Sequence, residues 1–178
     1  MPTIFTHPAV PLALGLGLGS SIIPRRLLVL GVVASILPDL DVLAFKFGVS
    51  YASALGHRGF SHSILFALLI ALLGAITARI WRAPPRTTFA FLCVVTLSHT
   101  LLDAVTNGGL GVALFWPISA ERFFAPWQVI QVSPFGLRFF SACGVRVILS
   151  ELLWVWLPAF VLYLNLLFTR RLFSGQRF

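Results

Sequence analysis

Acidic residues are scarce in this sequence of 178 residues, which has five Asp and Glu against 13 Lys and Arg and a net charge of +8. Charged residues make up only 10% of the chain, whereas hydrophobic residues make up 58%. A water-soluble domain of this length could not bury so much apolar surface. We therefore predict an all-α, polytopic integral membrane protein. The basic excess is expected to set membrane topology, and no nucleic-acid partner is expected.

Cysteine and the common catalytic motifs are also poorly represented. The two cysteines, Cys93 and Cys143, form no CxxC pair, which argues against a structural disulfide. The sequence has no P-loop, no HExxH and no nucleophile elbow. It also has no internal repeat and no low-complexity linker. Residues 1–178 are therefore predicted to form one membrane-embedded helical domain.

Apolar stretches predict a bundle of about five membrane-embedded helices. They cover residues 8–23, 27–37, 62–80, 87–106 and 145–169. Because about 20 residues are needed to span a bilayer, the first two are short and are expected to form a tilted or partly immersed hairpin. The intervening residues 110–144 are rich in aromatic residues and proline, which predicts an extracytoplasmic cap loop resting at the interface.

The distribution of basic residues predicts the orientation of these helices. If the five spans alternate, one side carries Arg25, Arg26, Arg79, Arg82, Arg86, Arg170, Arg171 and Arg177. The other side carries Lys46, Arg58, Arg122, Arg138 and Arg146. The side with more basic residues is predicted to be cytoplasmic. This gives a multi-pass protein of the inner (plasma) membrane, with its N-terminus outside and its C-terminus inside.

Most of the histidines and all of the aspartates fall in three short motifs within residues 6–109. Residues 38–41 read Pro-Asp-Leu-Asp, residues 57–62 read His-Arg-Gly-Phe-Ser-His, and residues 98–103 read Ser-His-Thr-Leu-Leu-Asp. Ionisable groups in apolar surroundings are costly unless they are paired or bind metal. The predicted topology places all of them on the extracytoplasmic side. The candidate metal ligands are His7, Asp39, Asp41, His57, His62, His99 and Asp103.

Each motif also has a simpler interpretation. His99 and Asp103 share a helix face and could bond only to each other. Asp39 and Asp41 could form a helix-terminal turn, or one could be a ligand and the other an orienting partner. Arg58 could bind a phosphate or a developing oxyanion, or it could contact lipid headgroups.

The ligand types indicate the chemistry. A histidine-rich set favours zinc, with manganese as the alternative. Because the candidate ligands exceed the needs of one tetrahedral zinc, they could hold two ions, or one ion with a catalytic base. Such sites activate water in phosphoester hydrolysis. Asp39, Asp41 and Arg58 are the candidate catalytic residues. Ser61 or Ser63 could cap the helix that follows.

The combined motifs resemble the YdjM-type inner-membrane family over about residues 6–145. The resemblance includes Thr6-His7, the three motifs above, residues 106–109 and the Phe115-Trp116-Pro117 loop. Members of this family are described as membrane-bound metal-dependent hydrolases, with a distant similarity to zinc-dependent phospholipase C and single-strand nucleases. The resemblance implies a helical fold in which zinc ions assist the cleavage of phosphoesters.

The sequence thus predicts a membrane-bound, divalent-metal-dependent hydrolase. Its expected substrate is a phospholipid or lipid-linked phosphoester that enters from the outer leaflet, at a site open to the extracytoplasmic interface. Two alternatives stay open. A metal-ion transporter would need polar residues continuing to the cytoplasmic side. A non-catalytic membrane protein with a structural metal site would hold a closed, fully coordinated ion.

Overall fold

The computed structural model describes residues 1–134 and 139–174, and this part of the chain is helical without β-strands. Cys93 and Cys143 are free cysteines. The α-helices are α1 (Ala9–Leu18), α2 (Arg25–Ile36), α3 (Ile64–Ile76), α4 (Ala78–Trp81), α5 (Pro85–Ala104), α6 (Ala142–Glu151) and α7 (Leu157–Ser174). The 3₁₀ segment Leu37–Phe47 extends α2, a 3₁₀ turn covers Phe60–His62, and a π-helical turn, Leu152–Trp156, joins α6 to α7.

Three helical stretches are long and apolar enough to cross a membrane. They are Arg25–Phe47, Pro85–Ala104 and Ala142–Phe173. The apolar helices α1 and α3 are shorter, with 10 and 13 residues. The predicted all-α membrane fold is confirmed. The count of five spans, the cap formed by residues 110–144 and the assignment of the whole chain to one domain stay predictions.

Several predicted segment boundaries differ from the structure: the segment 8–23 is helical only to Leu18, and the segment 145–169 begins with α6 at Ala142 and ends with α7 at Ser174. Two further differences have a local cause. The second apolar segment continues past Pro38, because this proline lies in the first turn of the 3₁₀ segment. The N–H groups of a first turn have no partner within the helix, so proline, which lacks an N–H, is tolerated there. The predicted continuous segment 62–80 is interrupted after Ile76. There the Thr77 hydroxyl bonds back to the Leu73 carbonyl oxygen at 2.8 Å, which competes with regular helix geometry.

Helix α5 lies at the centre of the fold and packs against α2 and α3, while α1 packs against α7. Glycines allow these close approaches. A Cβ atom on Gly31 would lie 2.3 Å from the Phe91 ring, and one on Gly74 would lie 2.1 Å from Leu92 Cδ1. The resulting core contains Ile23, Leu27, Ala34, Ala71, Phe91, Leu92 and Val95.

Large apolar side chains cover much of the outer surface. On α3, Leu72, Leu73 and Ile76 are exposed, and Ile76 has an exposed fraction of 74%. Leu153 and Phe160 are similarly exposed along the last helical stretch. Such a surface fits contact with lipid and would be a liability in water.

Several arginines gather at the end of the bundle opposite the His and Asp motifs. Arg26 Nη1 donates to the Ile80 carbonyl oxygen at 3.4 Å. Gly19 lies against Arg170, since a Cβ atom there would be 1.7 Å from Arg170 Nη1. Arg138 and Arg177 lie outside the described residues. The clustering fits the predicted topology, and which side each end faces stays a prediction.

Ser63 begins α3 by accepting a hydrogen bond from the Phe66 amide at 3.1 Å, as one of the two predicted caps. We expect Ser63→Ala to lower the free energy of unfolding by about 1 kcal/mol, because a first-turn amide loses its acceptor. Thermal unfolding in detergent measures this. Ser20→Ala, at an exposed turn, is the matched control. Equal unfolding temperatures for the two variants would contradict the capping role.

Candidate metal centre

The fold brings the seven predicted ligands to one end of the bundle from four separate elements. His7 precedes α1, Asp39 and Asp41 lie in the 3₁₀ segment after α2, and His57 and His62 precede α3. His99 and Asp103 lie in the last turns of α5. Residues up to 96 positions apart in the sequence therefore meet, because the N-terminal ends of α1 and α3 lie at the same end of the bundle as the C-terminal ends of α2 and α5.

Four of these residues form a compact buried group, which we call the inner group: Asp39, His62, His99 and Asp103. One ligand atom from each lies within 4.8 Å of all the others. The Nε2 atoms of His62 and His99 are 3.0 Å apart. His62 Nε2 is 3.2 Å from Asp103 Oδ2, and His99 Nε2 is 3.5 Å from Asp39 Oδ1. This buried Asp/His group could bind a divalent metal ion.

The His99 ring is oriented by the backbone of α2. Its Nδ1 lies 2.7 Å from the Ser35 carbonyl oxygen, which can only accept a hydrogen bond. Nδ1 therefore carries the proton, and the lone pair of Nε2 faces the inner group. The simpler interpretation, in which His99 bonds only to Asp103, does not account for this arrangement.

Asp41 and His57 lie beside the inner group, at the less buried edge of the centre. His57 Nδ1 donates to Asp41 Oδ1 at 2.6 Å. Asp41 Oδ2 accepts from Ser61 Oγ at 2.6 Å and from the Arg58 amide at 3.1 Å. With His62, these two residues form a second group that could hold an ion. However, both oxygens of Asp41 already accept bonds from the protein, which fits an orienting residue better than a metal ligand.

His7 borders the inner group without being one of its four members. Its ring stacks on that of His99, with centroids 3.8 Å apart, and its Nε2 is 3.5 Å from Asp39 Oδ2. Both ring nitrogens of His7 and both carboxylate oxygens of Asp39 are buried and have no hydrogen-bond partner within the described chain. Buried polar atoms need a partner, and a cation would supply one to each of these ligand atoms, so the donor set fits a metal ion.

The two loop histidines respond oppositely to this environment. Burial, reinforced by the neighbouring His99, lowers the pKa of His7 to about 3. Burial also lowers the pKa of His62, but the carboxylates of Asp103 and Asp41 outweigh it and raise the pKa to about 9. The raised pKa of His62 reflects the negative charge of the two carboxylates, which a metal ion bound among them would balance.

Arg58 is fully buried against this centre. Its Nε donates to Asp103 Oδ2 at 2.8 Å and its Nη1 to the Gly108 carbonyl oxygen at 2.6 Å, whereas Nη2 has no partner among the described residues. The backbone of Arg58 has φ of 63°, a left-handed conformation that is costly for arginine. The alternative that Arg58 contacts lipid headgroups does not fit this burial.

Glycines on either side of His57 and Arg58 let the loop fold tightly. A Cβ atom on Gly56 would lie 2.2 Å from the Ser50 carbonyl oxygen, and one on Gly59 would lie 2.2 Å from the Ala54 carbonyl oxygen. Both obstacles are backbone atoms, which cannot rotate away as a side chain can. The path of the chain therefore requires glycine at positions 56 and 59.

The centre is more enclosed than the sequence predicted. Every residue of the inner group has an exposed fraction of 3% or less, and Arg58 is equally buried, whereas a site open to the interface was expected. The segment after α5 contributes to this enclosure, because the Gly108 carbonyl oxygen accepts from Arg58 Nη1 and a Cβ atom on Gly109 would lie 2.8 Å from the same nitrogen. Glycine at position 109, where φ is 90°, therefore allows that segment to approach Arg58 closely.

Sequence reasoning missed two polar residues near the centre. Ser35 orients His99 through its backbone carbonyl, which no sequence pattern reveals. Glu151 is buried and accepts hydrogen bonds from Thr3 and Thr6, next to His7. The sequence could have indicated Glu151, because a lone acidic residue in a long apolar segment usually has a polar partner.

Comparison with known proteins places the chain in a membrane-protein family. The profile of the YdjM inner membrane protein family matches residues 1–173. The chain belongs to this family. It is 56% identical to the inner membrane protein YbcI of Escherichia coli (strain K12) over 173 residues, which are 96% of this chain and 99% of that relative. No solved structure matches the chain.

These matches confirm the predicted family and identify the chain as an inner membrane protein with candidate membrane-spanning helices. The more distant similarity to phospholipase C and single-strand nucleases stays an expectation from sequence.

We expect Gly59→Ala to destabilise the protein by about 3 kcal/mol, because the added Cβ atom meets backbone rather than a movable side chain. Gly48→Ala is the control. Gly48 has φ of 75°, and a Cβ atom added there would have no other atom within 4 Å, so the change should cost about 1 kcal/mol from backbone strain alone. Thermal unfolding of both variants compares them, and a smaller loss for Gly59→Ala than for Gly48→Ala would refute the steric argument.

Proposed function

We propose that this protein is a membrane-bound, divalent-metal-dependent hydrolase that cleaves phosphoesters of lipids or lipid-linked molecules at the extracytoplasmic interface. One observation carries the proposal. Two carboxylates and two imidazoles are buried together within 4.8 Å, with Arg58 in contact with one of the carboxylates. A cation and an anionic substrate group would both find their counter-charges in such a centre.

The inner group, with His7 beside it, is the proposed ion site. Two imidazole nitrogens and two carboxylates favour zinc, and manganese is the alternative. An ion bound there would act as a Lewis acid that polarises a phosphoryl oxygen and activates water. We propose one ion, since the oxygens of Asp41 already accept bonds from His57, Ser61 and the Arg58 amide.

The neighbouring residues have separate roles in this proposal. Asp41 orients His57 through Nδ1, which leaves Nε2 of His57 to accept a proton from water. Asp39 and Asp103 hold the ion. They bring their negative charges from two different elements, the 3₁₀ segment after α2 and the end of α5. Arg58 donates its unpartnered Nη2 to an anionic oxygen of the substrate.

The lipid substrate is inferred from the surroundings of the site. The helices that carry the ligands present large apolar side chains to the outside, so a substrate with acyl chains could approach within the membrane. Because the centre is buried, the substrate has to displace the segment at Gly108 and Gly109 to reach Arg58. Catalysis therefore requires a conformational step.

A metal-ion transporter is less well supported. Below the inner group, towards the arginine-rich end, α5 contributes the buried residues Phe91, Leu92 and Val95 to the apolar core. The buried polar residues of α5 at these levels are Thr88 and Thr96, so an ion crossing this layer would exchange its carboxylates and imidazoles for neutral hydroxyls.

A structural metal site is the second candidate, and one observation favours it. The complete burial of the inner group resembles a closed site that joins helices, here the 3₁₀ segment after α2, the loop before α3, and α5. Such a site would give stability without hydrolysis. The two candidates thus agree on the ion and differ in activity.

We expect purified wild-type protein to contain one zinc or manganese ion per chain, and His99→Ala to lose most of it, because the variant removes a ligand from the inner group. Elemental analysis of protein in lipid nanodiscs measures the content. Hydrolysis of a phosphoester lipid is followed in the same preparations. Glu121→Gln, at an exposed acidic residue, is the control and should keep both ion and activity.

The possible results separate the candidates. Wild-type protein with an ion, no hydrolysis of phosphoester lipids and a large loss of stability on chelation would indicate the structural site. Protein that holds no ion would reject both. Two ions per chain would assign Asp41 and His57 as ligands rather than as the proton acceptor and its partner.

We expect Arg58→Lys to keep the ion but to lower the rate of hydrolysis about 100-fold, because lysine keeps the charge beside Asp103 and loses the forked donor. Steady-state kinetics with parallel elemental analysis measures both properties. Arg146→Lys, on the exposed face of α6, is the matched control. An unchanged rate in Arg58→Lys would exclude the substrate contact.

A further inference from the structure

Glu151 is a buried acidic residue outside the candidate metal centre. It ends α6, immediately before the π-helical turn, and its exposed fraction is 3%. Glu121, in contrast, is exposed. A carboxylate within an apolar helix is expensive unless donors surround it, so Glu151 has a specific partner or a specific role.

The partners of Glu151 all come from the segment that precedes α1. Glu151 Oε2 accepts from Thr3 Oγ1 at 2.7 Å and from Thr6 Oγ1 at 2.8 Å. Glu151 Oε1 accepts from the Thr3 amide. Three donors therefore converge on one carboxylate, and hydrogen bonds to an ionised acceptor are among the stronger ones in proteins.

The same segment positions His7. The Thr6 amide donates to the Thr3 carbonyl oxygen at 2.9 Å, and the Ala9 amide donates to the Thr6 carbonyl oxygen at 3.0 Å. This tight turn fixes the backbone on both sides of His7. The His7 ring has no hydrogen bond within the described chain that could orient it directly. Its place beside Asp39 and His99 thus depends on how the turn is held.

We propose that Glu151 is a positioning residue that holds His7 at the ion site by accepting hydrogen bonds from Thr3 and Thr6. This inference rests on the proposed function, since it requires that an ion occupies the inner group. Glu151 thereby connects the last helical stretch, which contributes no ligand of its own, to the metal centre.

The geometry around Glu151 supports a role beyond simple packing. The π-helical turn Leu152–Trp156 starts at the next residue, and such turns are frequent at functional sites. Within and directly after it, Val155 and Ala159 pack against Ala9 and Ala13 of α1. The contact between α1 and the last helix therefore extends from the Glu151 hydrogen bonds along the helix that follows His7.

A double-mutant cycle on ion affinity tests this proposal. Glu151→Gln, His7→Ala and the double variant are reconstituted in nanodiscs, and the dissociation constant for zinc is measured by competition with a chelator. We expect Glu151→Gln to weaken binding roughly 10–100-fold, as loss of an orienting partner does. In the His7→Ala background the same change should have little further effect, because Glu151 acts through His7.

Control variants keep the result interpretable. Glu121→Gln makes the same substitution at an exposed site and should bind zinc as the wild type does. If Glu151→Gln does not fold, Thr6→Val replaces it in the cycle, because that change leaves Glu151 its two bonds from Thr3. Thr169→Val, whose hydroxyl bonds within α7, is the control for that substitution.

Three outcomes would overturn the inference. Wild-type affinity in Glu151→Gln, with a lower unfolding temperature, would make Glu151 structural and leave the metal site intact. Effects of Glu151→Gln and His7→Ala that multiply in the double variant would show that Glu151 does not act through His7. Wild-type protein without zinc binding would reject the proposed function together with this inference.

Discussion

The charge of Asp39 and Asp103 is the constraint on which the rest of this structure depends. Both carboxylates are buried in a largely apolar bundle, where an uncompensated charge is unstable. Asp103 has the guanidinium of Arg58 beside it, but Asp39 has no hydrogen-bond partner among the described residues. The imidazoles of His7, His62 and His99 each bring Nε2 within 3.8 Å of an Asp39 oxygen, so a cation held by those rings would compensate the charge of Asp39.

The need to place a positive charge beside Asp103 determines the shape of the loop before α3. Arg58 has to enter the bundle from a short connection before α3, and it does so with a left-handed backbone conformation. Gly56 and Gly59 allow the loop to fold against its own carbonyl oxygens, and Asp41 fastens it by accepting bonds from the Arg58 amide, His57 and Ser61. The cost of the strained arginine is offset by these contacts, in which Asp41 joins the loop to the 3₁₀ segment after α2.

The sequence was sufficient to predict the helices and the convergence of the motifs, because both depend on local patterns. Apolar runs mark the helices. The scarce His and Asp residues precede α1 and α3, follow α2 and end α5, so they come to one end of the bundle when consecutive helices reverse direction. The enclosure of the centre was not predictable, since it depends on how Gly108 and Gly109 approach Arg58. The orienting bond from the Ser35 carbonyl to His99 was likewise invisible, because any residue has a backbone carbonyl. The continuation of α2 past Pro38 was missed because a proline can end one helix or begin another.

The enclosure also bears on how an ion and a substrate could share this centre. The apolar core that contains Leu92 and Val95 occupies α5 on the side of the arginine-rich end, and the Gly108 segment contacts Arg58 at the other end of that helix. The core side cannot open without breaking the packing of α5 against α2 and α3. The segment after α5 is joined to the centre by several hydrogen bonds: the Gly108 carbonyl oxygen accepts from Arg58 Nη1, the Ala113 amide donates to the Arg58 carbonyl oxygen at 2.9 Å, and Arg122 Nη1 donates to the His57 carbonyl oxygen at 2.9 Å. Of these, only the bond to Gly108 occupies the guanidinium of Arg58. Under the proposed function, an anionic group that replaced this carbonyl would pair a full negative charge with the guanidinium while the other bonds kept the rest of the segment in place.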